Sequence, residues 1–497
     1  MSESGGEARV EPRRLKGFRD ITAAELRARN WIITRIREVY ERYGFVPLET
    51  PTLEYVDVLG KFLPDADTPE GGIFALRDED QNWIALRYDL TAPLSRFVAM
   101  NPDLPLPYRR YQVGPVYRVE KPGPGRFREF YQFDFDSVGT ASMLADAEVC
   151  MVACDTLEAL AIPRGAYLVR VNNRKVLNGV LEVLGGGRPV PAETARAILR
   201  SIDKLDRVGL DGVKLLLGPG RRDESGDFTP GAGLASEQVD VVLRYLAISP
   251  DDRRKVLEET HRLVGDTDVG CQGVEELARI DEALVSAGYQ ADRVSFDPTV
   301  VRGLTYYTGP VFEAVLTFGV QEEDGITRQF GSVFGGGRYD DLVARFTRQR
   351  VPATGASIGV DRLLAALLAL GKLQKGPATA KVLVTRLDDR YNAEYQKMAV
   401  ELRSAGLNTE LYVGTQGVGK QFKYASSTGK VVAVVVGEDE MKSSQVSIKD
   451  LRLGEAVSKE LGQDRKAWLE QQPAQVTVPR GEMVRKVREI LARYSIG

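Results

Sequence analysis

Residues 108–139 read YRRYQVGPVYRVEKPGPGRFREFYQFDFDSVG, a pattern that predicts two strands joined by a Pro/Gly-rich turn. Arg118 and Glu120 stand two apart in the first strand and are therefore predicted to share a face. The second strand alternates in the same way, with Tyr131, Phe133 and Phe135 on one face and Gln132, Asp134 and Asp136 on the other. Acids, an amide and an arginine above an aromatic-backed sheet predict a site for a charged small molecule. A solvated strand also alternates, so this pattern alone leaves that alternative open.

The composition is that of an ordinary globular chain, with 497 residues, 43% hydrophobic, 28% charged and a formal net charge of −3. This length predicts about two to four domains. The small net charge provides no global field that attracts RNA, so an RNA site has to be a local patch. The beginning of the chain has no apolar signal core, and no apolar run predicts a membrane span. Three cysteines without a CxxC pair favour a reducing, cytoplasmic location.

The chain has a single histidine, His261, in a segment with the pattern of an amphipathic helix. One histidine excludes a histidine-rich zinc site, and no nucleophile motif for a Ser-His-Asp triad lies near it. We therefore predict that His261 is structural. The chemistry is expected to depend on arginines, carboxylates, tyrosines and bound metal.

The segment before residue 108 places two polar side chains at the start of a helix. Residues 16–43 predict a long helix, and residues 73–89 predict a hairpin around the polar turn DEDQN. Asp89 and Thr91 then stand between a strand end and a helix, with Thr91 at the expected N-cap. Such a position suits an ammonium group at Asp89 or an anion at the free amides. A capping role for Thr91 explains the sequence equally well.

The rest of the chain divides by its patterns into further segments. Residues of about 180–260 predict an inserted helical module, and sheet signals return at 294–318 with Arg302, Tyr306 and Tyr307. In GASIGVDRLLAALLAL (355–370), Arg362 stands among apolar residues, where an arginine is uncommon unless it is paired or meets a ligand. We predict one domain over 1–370, a linker at 371–380 and an α/β domain over 381–497. The last domain is expected to contain a βαβαβ pattern, a hairpin at 438–457 and a final amphipathic helix.

The sequence GTQGVGKQ (414–421) follows a predicted strand, begins a helix and nearly matches a P-loop. The match fails at Gln421, where a P-loop has the Ser or Thr whose hydroxyl binds magnesium. A P-loop NTPase is therefore not favoured. No GxGxxG sequence follows the first strands, so a dinucleotide fold is not supported either.

Four arginines are predicted to gather around one anion. They are Arg118, Arg126, Arg302 and Arg362. Planar, permanently charged guanidinium groups suit a polyphosphate, whose charge is redistributed during transfer. Carboxylates at Asp89, Glu120 and Asp136 suit an ammonium, a base amine or an imidazole. The set indicates adenylation of an amino acid by positioning and charge neutralisation, without a covalent enzyme intermediate.

These residues lie in segments that resemble the histidyl-tRNA synthetases, a family of class II aminoacyl-tRNA synthetases, over nearly the whole chain. GFVPLETPTLE (44–54), YRVEKPGPGRFREFYQFDFD (117–136) and GASIGVDRL (355–363) resemble class II motifs 1, 2 and 3. LRYDLTAPLSRF (86–97), VRGLTYYTGPVFE (301–313) and FGGGRYDDL (334–342) resemble segments particular to the histidine enzymes. The resemblance implies an α+β fold: an antiparallel catalytic sheet with a helical insertion, followed by an α/β anticodon-binding domain.

The resemblance also implies an activity and a set of partners. The enzyme is expected to be a histidine–tRNA ligase that forms histidyl-adenylate from L-histidine and ATP and transfers histidine to tRNA(His). Mg²⁺ is expected with ATP, and a homodimer through motif 1. The metal ligands are not predicted. A non-catalytic, histidine-sensing regulatory subunit is the first alternative. A class II synthetase for threonine, proline or glycine is the second, and Tyr306 and Tyr307 argue against it.

Matched to the family motifs, the site residues take separate roles. Arg118 is expected to bridge the ATP α-phosphate and the amino-acid carboxylate, with Arg302 as a further arginine at that phosphate. The adenine is expected to meet Glu120 and Phe130, and the outer phosphates Arg126 and Arg362. The α-amino group is assigned to Asp89, Thr91 and Gln132, and the imidazole to Asp136 and Tyr307, with Tyr306 beside them. Three positions depart from the family pattern: Thr305, Asp341, and Asp136 where many bacterial members have glutamate.

Overall fold

The computed structural model describes residues 10–60, 72–121, 127–222, 226–301, 306–321, 327–373, 379–460 and 474–494. The chain forms two compact units. The first unit comprises Met1–Asp20 and Arg29–Lys372, and the second comprises Ile21–Ala28 and Leu373–Gly497.

In the described residues the first unit has fifteen strands, and eight of them form one large sheet. Its strands in chain order are β1 (Val46–Pro47), β2 (Leu53–Tyr55), β3 (Ala75–Arg77), β4 (Trp83–Leu86), β5 (Tyr108–Tyr117), β6 (Glu129–Val138), β7 (Tyr167–Asn173), β8 (Gly220–Arg222), β9 (Phe228–Pro230), β10 (Val294–Phe296), β11 (Pro310–Leu316), β12 (Gly319–Gln321), β13 (Thr327–Gln329), β14 (Ser332–Arg338) and β15 (Ala353–Gly359). The order in the large sheet is β1-β5-β6-β15-β14-β11-β7-β10. The six central strands pair antiparallel, and the two edge strands β1 and β10 pair parallel with their neighbours. Smaller sheets are formed by β2-β4-β3, β8-β9 and β12-β13.

Twelve helices accompany these strands in the described part of the chain up to Lys372. They are α1 (Ala23–Arg42), α2 (Val56–Leu59), α3 (Thr91–Met100), α4 (Met143–Ala159), α5 (Arg174–Leu184), α6 (Ala192–Ile202), α7 (Leu205–Leu217), α8 (Ser236–Leu246), α9 (Arg253–Val264), α10 (Asp268–Ser286), α11 (Ala344–Thr347) and α12 (Val360–Ala369). Helices α5 to α10 and the β8-β9 hairpin lie between β7 and β10 in the chain. The insertion predicted at about 180–260 falls within this segment. His261 is exposed on α9.

The aromatic face of the β5-β6 hairpin forms a core with the end of α1. The ring centroid of Tyr40 lies 4.9 Å from that of Phe133 and 4.7 Å from that of Phe135. The ring centroid of Phe45, which lies between α1 and β1, is 5.2 Å from that of Phe135. Because these rings bury large apolar areas in tilted contacts, they fix the position of β6. The opposite face of β6 is left to its polar residues.

The second unit contains a five-stranded sheet in the order β17-β16-β18-β19-β20. Its strands are β16 (Val382–Val384), β17 (Thr409–Leu411), β18 (Val432–Val435), β19 (Gln445–Asp450) and β20 (Gln475–Pro479). Its helices are α13 (Asn392–Ser404), α14 (Val418–Ser427), α15 (Glu438–Ser443), α16 (Leu451–Glu460) and α17 (Met483–Ala492), with short 3₁₀ turns at Asp389–Tyr391 and Arg480–Glu482. The first three strands of the order are parallel, as the βαβαβ pattern predicted.

The hairpin predicted at 438–457 is wrong. This segment is helix α15, strand β19 and helix α16. The acidic run Glu438, Asp439 and Glu440 occupies the first turn of α15, where negative charge stabilises a helix N-terminus. The side chain of Asp450 accepts from the Leu453 amide at 3.0 Å and stabilises the first turn of α16.

In the ranges that the structure describes, no helix has the length and apolar character needed to cross a membrane.

Candidate active site

The floor of the site is the polar face of three neighbouring strands. Gln132, Asp134 and Asp136 of β6 stand opposite Gly359, Ser357 and Gly355 of β15. On the other side they stand opposite Gly114, Gln112 and Arg110 of β5. The alternation predicted for β6 is therefore present, with the aromatic rings on α1 and the acids on the other face.

Asp136 is buried and is held from two sides. Its Oδ1 accepts a hydrogen bond from the Tyr339 hydroxyl, and its Oδ2 lies 2.8 Å from Arg110 Nη2. Burial raises the pKa of Asp136, while Arg110 and the Tyr339 hydroxyl oppose that rise. Burial and the neighbouring carboxylate raise the pKa of Tyr339 well above its usual range, so its phenol remains a donor. The chain alone thus fixes the orientation of this acid.

The two tyrosines of the predicted site lie beside this acid. The Tyr306 hydroxyl donates to the Tyr307 hydroxyl at 3.2 Å, and the ring of Tyr306 also contacts that of Tyr339. Two glycines make room for this arrangement. A Cβ at Gly337 would lie 2.7 Å from Tyr307 Cδ1, and a Cβ at Gly355 would lie 2.1 Å from Asp136 Oδ1. The structure brings Asp136, Tyr306 and Tyr307 into one neighbourhood.

The N-cap predicted at Thr91 is wrong. Helix α3 has Leu90 at the cap position, and Thr91 is its first helical residue. Asp89 Oδ1 accepts from the backbone amides of Thr91 at 3.1 Å and of Ala92 at 2.9 Å. A carboxylate two residues before the helix satisfies both amides, so no hydroxyl cap is required. The charge of Asp89 acts on Asp136 and raises the pKa of that buried acid.

Arg118 and Glu120 lie just beyond the end of β5, which is Tyr117, so their predicted placement within the strand is wrong. The Arg118 amide donates to the Arg128 carbonyl at 2.9 Å, so the chain still follows the hairpin there. The guanidinium of Arg118 lies over the rings of Tyr88 and Phe130, 4.3 Å and 5.1 Å from their centroids. Its Nη1 lies 3.9 Å from Glu120 Oε1. Arg118, Glu120 and Phe130 are thus brought together.

The other predicted arginines have different outcomes. Arg362 lies in α12, half-buried, and its Nη1 donates to the Ser332 carbonyl of β14 at 2.6 Å. Arg126 and Arg302 lie outside the described residues. The convergence of four guanidinium groups on one anion therefore stays a prediction.

Two family models match the chain. One described as Histidyl-tRNA synthetase covers residues 17–363, and one described as Anticodon binding domain covers residues 381–490. The chain belongs to the histidyl-tRNA synthetase family. The predicted family is confirmed, and so is the predicted α+β fold class.

Relatives in this family match at full length. The protein named Histidine--tRNA ligase of Rhizobium meliloti (strain 1021) is 54% identical over 97% of this chain and 95% of its own length. The protein of the same name from Cereibacter sphaeroides is 54% identical over 96% of this chain and 97% of its own. The crystal structure of histidyl-tRNA synthetase from Nostoc sp. PCC 7120 has a TM-score of 0.74 at 30% identity and covers 97% of this chain and 100% of its own.

A fourth match shows the fold alone. The structure titled ATP phosphoribosyltransferase regulatory subunit/histidyl-tRNA synthetase from Bacillus halodurans C has a TM-score of 0.67 at 23% identity. It covers 84% of this chain and 97% of its own length. Catalytic and regulatory names therefore occur on one fold, and function has to be argued from the site.

The near-match to a P-loop, residues 414–421, has a structural explanation in this synthetase. The Gln421 side chain is fully buried. Its amide oxygen accepts from the Arg386 amide at 3.0 Å, and its amide nitrogen donates to the carbonyls of Arg386 at 2.6 Å and Gln416 at 2.8 Å. Gln421 therefore ties the loop to β16 and its following residues, which agrees with the rejection of a P-loop.

Two residues of the candidate site were missed from the sequence, Arg110 and Tyr339, and Asp134 was placed on the polar face without a role of its own. Arg110 is fully buried, and Asp134 is 3% exposed. Burial raises the pKa of Asp134 to about 7, although Arg110 and the Ser357 hydroxyl lower it. The period of two along β5 and β6 was the available signal for Arg110 and Asp134, because both stand on the polar face.

Proposed function

We propose that this chain is an ATP-dependent histidine–tRNA ligase. It activates L-histidine to histidyl-adenylate and transfers the histidyl group to the 3′ end of tRNA(His), releasing AMP and pyrophosphate. The observation that carries the proposal is the arrangement along the polar face of β6. Asp136 and its tyrosine neighbours lie at one end of that face, and Arg118 lies with Phe130 at the other. Full-length relatives at 54% identity carry the ligase name.

At the amino-acid end, hydrogen-bond acceptors of the protein bind the histidine. We assign the α-amino group to Asp89, Thr91 and Gln132. Gln132 supports this role, since its Oε1 is buried and has no hydrogen-bond partner among the described residues. A buried acceptor without a partner is costly, and an ammonium donor removes that cost.

The imidazole is assigned to Asp136 and Tyr307, with Tyr306 packed against them. A carboxylate has about four lone-pair positions, and the Tyr339 hydroxyl uses one of those on Asp136. Arg110 Nη2 forms an ion pair with Oδ2 at 2.8 Å, and Oδ2 has no hydrogen-bond partner among the described residues. The remaining positions accept from a ring N–H. Tyr307 lies between Tyr306 and the backbone of Gly337, which fixes its ring beside the substrate.

The nucleotide end neutralises phosphate charge. We assign Arg118 to the α-phosphate and the substrate carboxylate, with Arg302 as a second guanidinium there. Phe130 stacks on the adenine and Glu120 accepts from its amine. Arg126 and Arg362 hold the outer phosphates. The buried Nε of Arg118 has no hydrogen-bond partner among the described residues, so it has a donor left for an anionic ligand.

The reaction follows from these assignments. A carboxylate oxygen of histidine attacks the α-phosphorus, and pyrophosphate leaves from the opposite side. Arg118, Arg302 and Arg362 are the catalytic residues in this scheme, because fixed positive groups stabilise the charge that develops on phosphate oxygens. No enzyme group forms a covalent bond. Rate acceleration comes from alignment and charge neutralisation.

Several partners belong to the proposal. Mg²⁺ is proposed as the companion of ATP. The described residues bring together no group of three acidic, histidine or cysteine ligands that would hold a metal ion. A homodimer through the motif 1 segment, a cytoplasmic location and the domain limits 1–370 and 381–497 are proposed on the family resemblance.

Histidine-dependent ATP–pyrophosphate exchange tests the function. The folded protein should exchange label into ATP with L-histidine and not with threonine, proline or glycine. Arg302→Ala should lower the exchange rate by about 10²-fold or more while histidine binding is largely retained. A folded wild-type protein without exchange would restore the regulatory-subunit alternative, which the full-length ligase relatives do not favour.

A further inference from the structure

Arg110 joins two sides of the histidine pocket. Its side chain is fully buried, and its Nη2 lies 2.8 Å from Asp136 Oδ2. The same nitrogen donates to the Leu90 carbonyl at 3.1 Å. Leu90 follows Asp89 directly, so one guanidinium holds the acid assigned to the ring and the backbone beside the acid assigned to the ammonium.

Arg110 also serves a second acid. Asp134 stands two residues before Asp136 on the same face of β6, between Gln112 and Ser357 of the neighbouring strands. Its Oδ1 is buried without a hydrogen-bond partner among the described residues. Arg110 Nε and Nη1 are likewise buried without such a partner. Two carboxylates thus share the field of one cation in a space that has little access to water.

The balance of charge in this cluster is set by few groups. Those that act on Asp134 or Asp136, or are acted on by them, are Arg110, Asp89, Ser357, Tyr339, Tyr40 and Arg87. Burial raises the pKa of both carboxyls, and Arg110 is the largest opposing influence on each. The charged form of Asp136 therefore depends on Arg110 more than on any other side chain.

We propose that Arg110 is a positioning residue for histidine selection: it keeps Asp136 charged and oriented toward the substrate ring. The proposal rests on the assignment of Asp136 to the imidazole. Arg110 itself does not touch the substrate.

The consequence is a pH dependence of histidine binding that the loss of Arg110 shifts. Binding needs charged Asp136, so affinity falls as the pH drops through the pKa of that carboxyl. Without Arg110 that pKa is higher, and affinity is lost at a higher pH.

Pyrophosphate exchange at about pH 6 to about pH 8.5 tests this, with KM for histidine, KM for ATP and kcat measured separately. Arg110→Lys should raise KM for histidine about ten-fold, and Arg110→Met about a hundred-fold, with kcat changed less than about three-fold. The acid limb of the histidine KM should move to higher pH in both variants. Tyr339→Phe, which removes the second contact to Asp136, should raise KM as Arg110→Lys does.

Arg253→Lys is the matched control. Arg253 is also buried, its Nε lies 2.5 Å from Asp281 Oδ1, and it donates to the Val294 carbonyl at 2.9 Å. Its substitution should lower the melting temperature and leave KM for histidine within about two-fold. A general loss of packing would raise KM for histidine in the Arg110 and Arg253 variants alike. The proposal predicts that rise in the Arg110 variants only.

Opposite results overturn the inference. If folded Arg110 variants keep the wild-type KM and acid limb while Asp136→Asn raises KM, Arg110 has no positioning role and the assignment of Asp136 stands. If Asp136→Asn leaves KM unchanged, the assignment of the ring to Asp136 fails instead. Should Arg110→Met not fold, Arg110→Lys decides, since it keeps the positive charge; an unchanged KM for histidine and an unchanged acid limb in that variant contradict the positioning role.

Discussion

The two ends of the proposed site are built differently. At the amino-acid end, Asp136 is 2% exposed, and both of its oxygens are already engaged by Tyr339 and Arg110. At the nucleotide end, the Glu120 side chain is 50% exposed, and it lies 3.9 Å from Arg118. An exposed pair at that distance contributes little energy, whereas a buried, fully oriented acceptor is costly to disturb. Contacts within the protein hold the amino-acid end in place, whereas the nucleotide end keeps polar groups for its ligand.

This difference separates selection from rate. A preformed acceptor discriminates well, because a substrate without the matching donor leaves buried polar groups unpaired. A cationic end with donors to spare acts most strongly when phosphate charge develops in the transition state. Variants at the histidine end should therefore change KM for histidine, and those at the nucleotide end should change kcat or KM for ATP.

Arg118→Ala should have the largest effect. Removing the guanidinium that lies over Tyr88 and Phe130 should lower kcat for pyrophosphate exchange by about 10²- to 10³-fold, because a preorganised cation is lost at the reacting phosphate. Lys121→Ala, at an exposed cation three residues on, is the control and should retain activity. An effect on KM for histidine alone would place Arg118 with the binding residues and break the comparison.

Gly355→Ala should act at the histidine end. The added Cβ would lie 2.1 Å from Asp136 Oδ1 and 2.5 Å from the Phe135 carbonyl, so the acid has to turn away. We expect KM for histidine to rise about ten-fold or more, with KM for ATP unchanged. Gly417→Ala is the control, since nothing lies within 4 Å of its Cβ. Equal rises in both KM values would show that the two ends are not separable.

Glu120→Gln should have a small effect confined to the nucleotide. The half-exposed carboxylate is weakly paired, so we expect KM for ATP to rise about three-fold and KM for histidine to stay the same. Glu79→Gln, in the exposed turn between β3 and β4, should change neither value. A loss of more than about a hundred-fold would mean that Glu120 is held as firmly as Asp136.

Lys420→Ala should have the smallest effect, with KM for ATP and kcat for exchange within about two-fold of wild type. The loop at 414–421 is tied down by Gln421, and no part of the proposed nucleotide end lies in it. ATP affinity measured by equilibrium binding checks this result. A large loss of ATP affinity would mean that the nucleotide binds in the second unit, and the two ends compared above would then not belong to one site.

Short-range patterns predicted much of the fold and part of the site. The period of two in 129–136 separated the aromatic from the acidic face, and the turn DEDQN marked the β3-β4 hairpin. Pairing of Arg110 with Asp136 follows from the same hairpin once its register is known, since the two residues are direct partners. Sequence alone does not fix that register, because the turn residues allow more than one loop length.

Other features depend on distant contacts or on competition between caps. Tyr339 follows β14 directly and meets Asp136 from a distant part of the chain, and no local pattern indicates that contact. Thr91 and Asp89 are both good capping residues, and only backbone geometry decides for Asp89. In 438–457 the acidic start of a helix was mistaken for a turn, because acids favour both.

The lone histidine on the exposed face of α9 gives this enzyme an unusual spectroscopic advantage. A protein with one imidazole contributes one pair of ring-nitrogen resonances per chain. When labelled histidine is added to uniformly nitrogen-15-labelled protein, the protein adds only that one pair to the ring-nitrogen signals of the bound substrate. The ring-nitrogen chemical shifts of the bound substrate then show which nitrogen carries hydrogen, and therefore the tautomer and the charge of its ring.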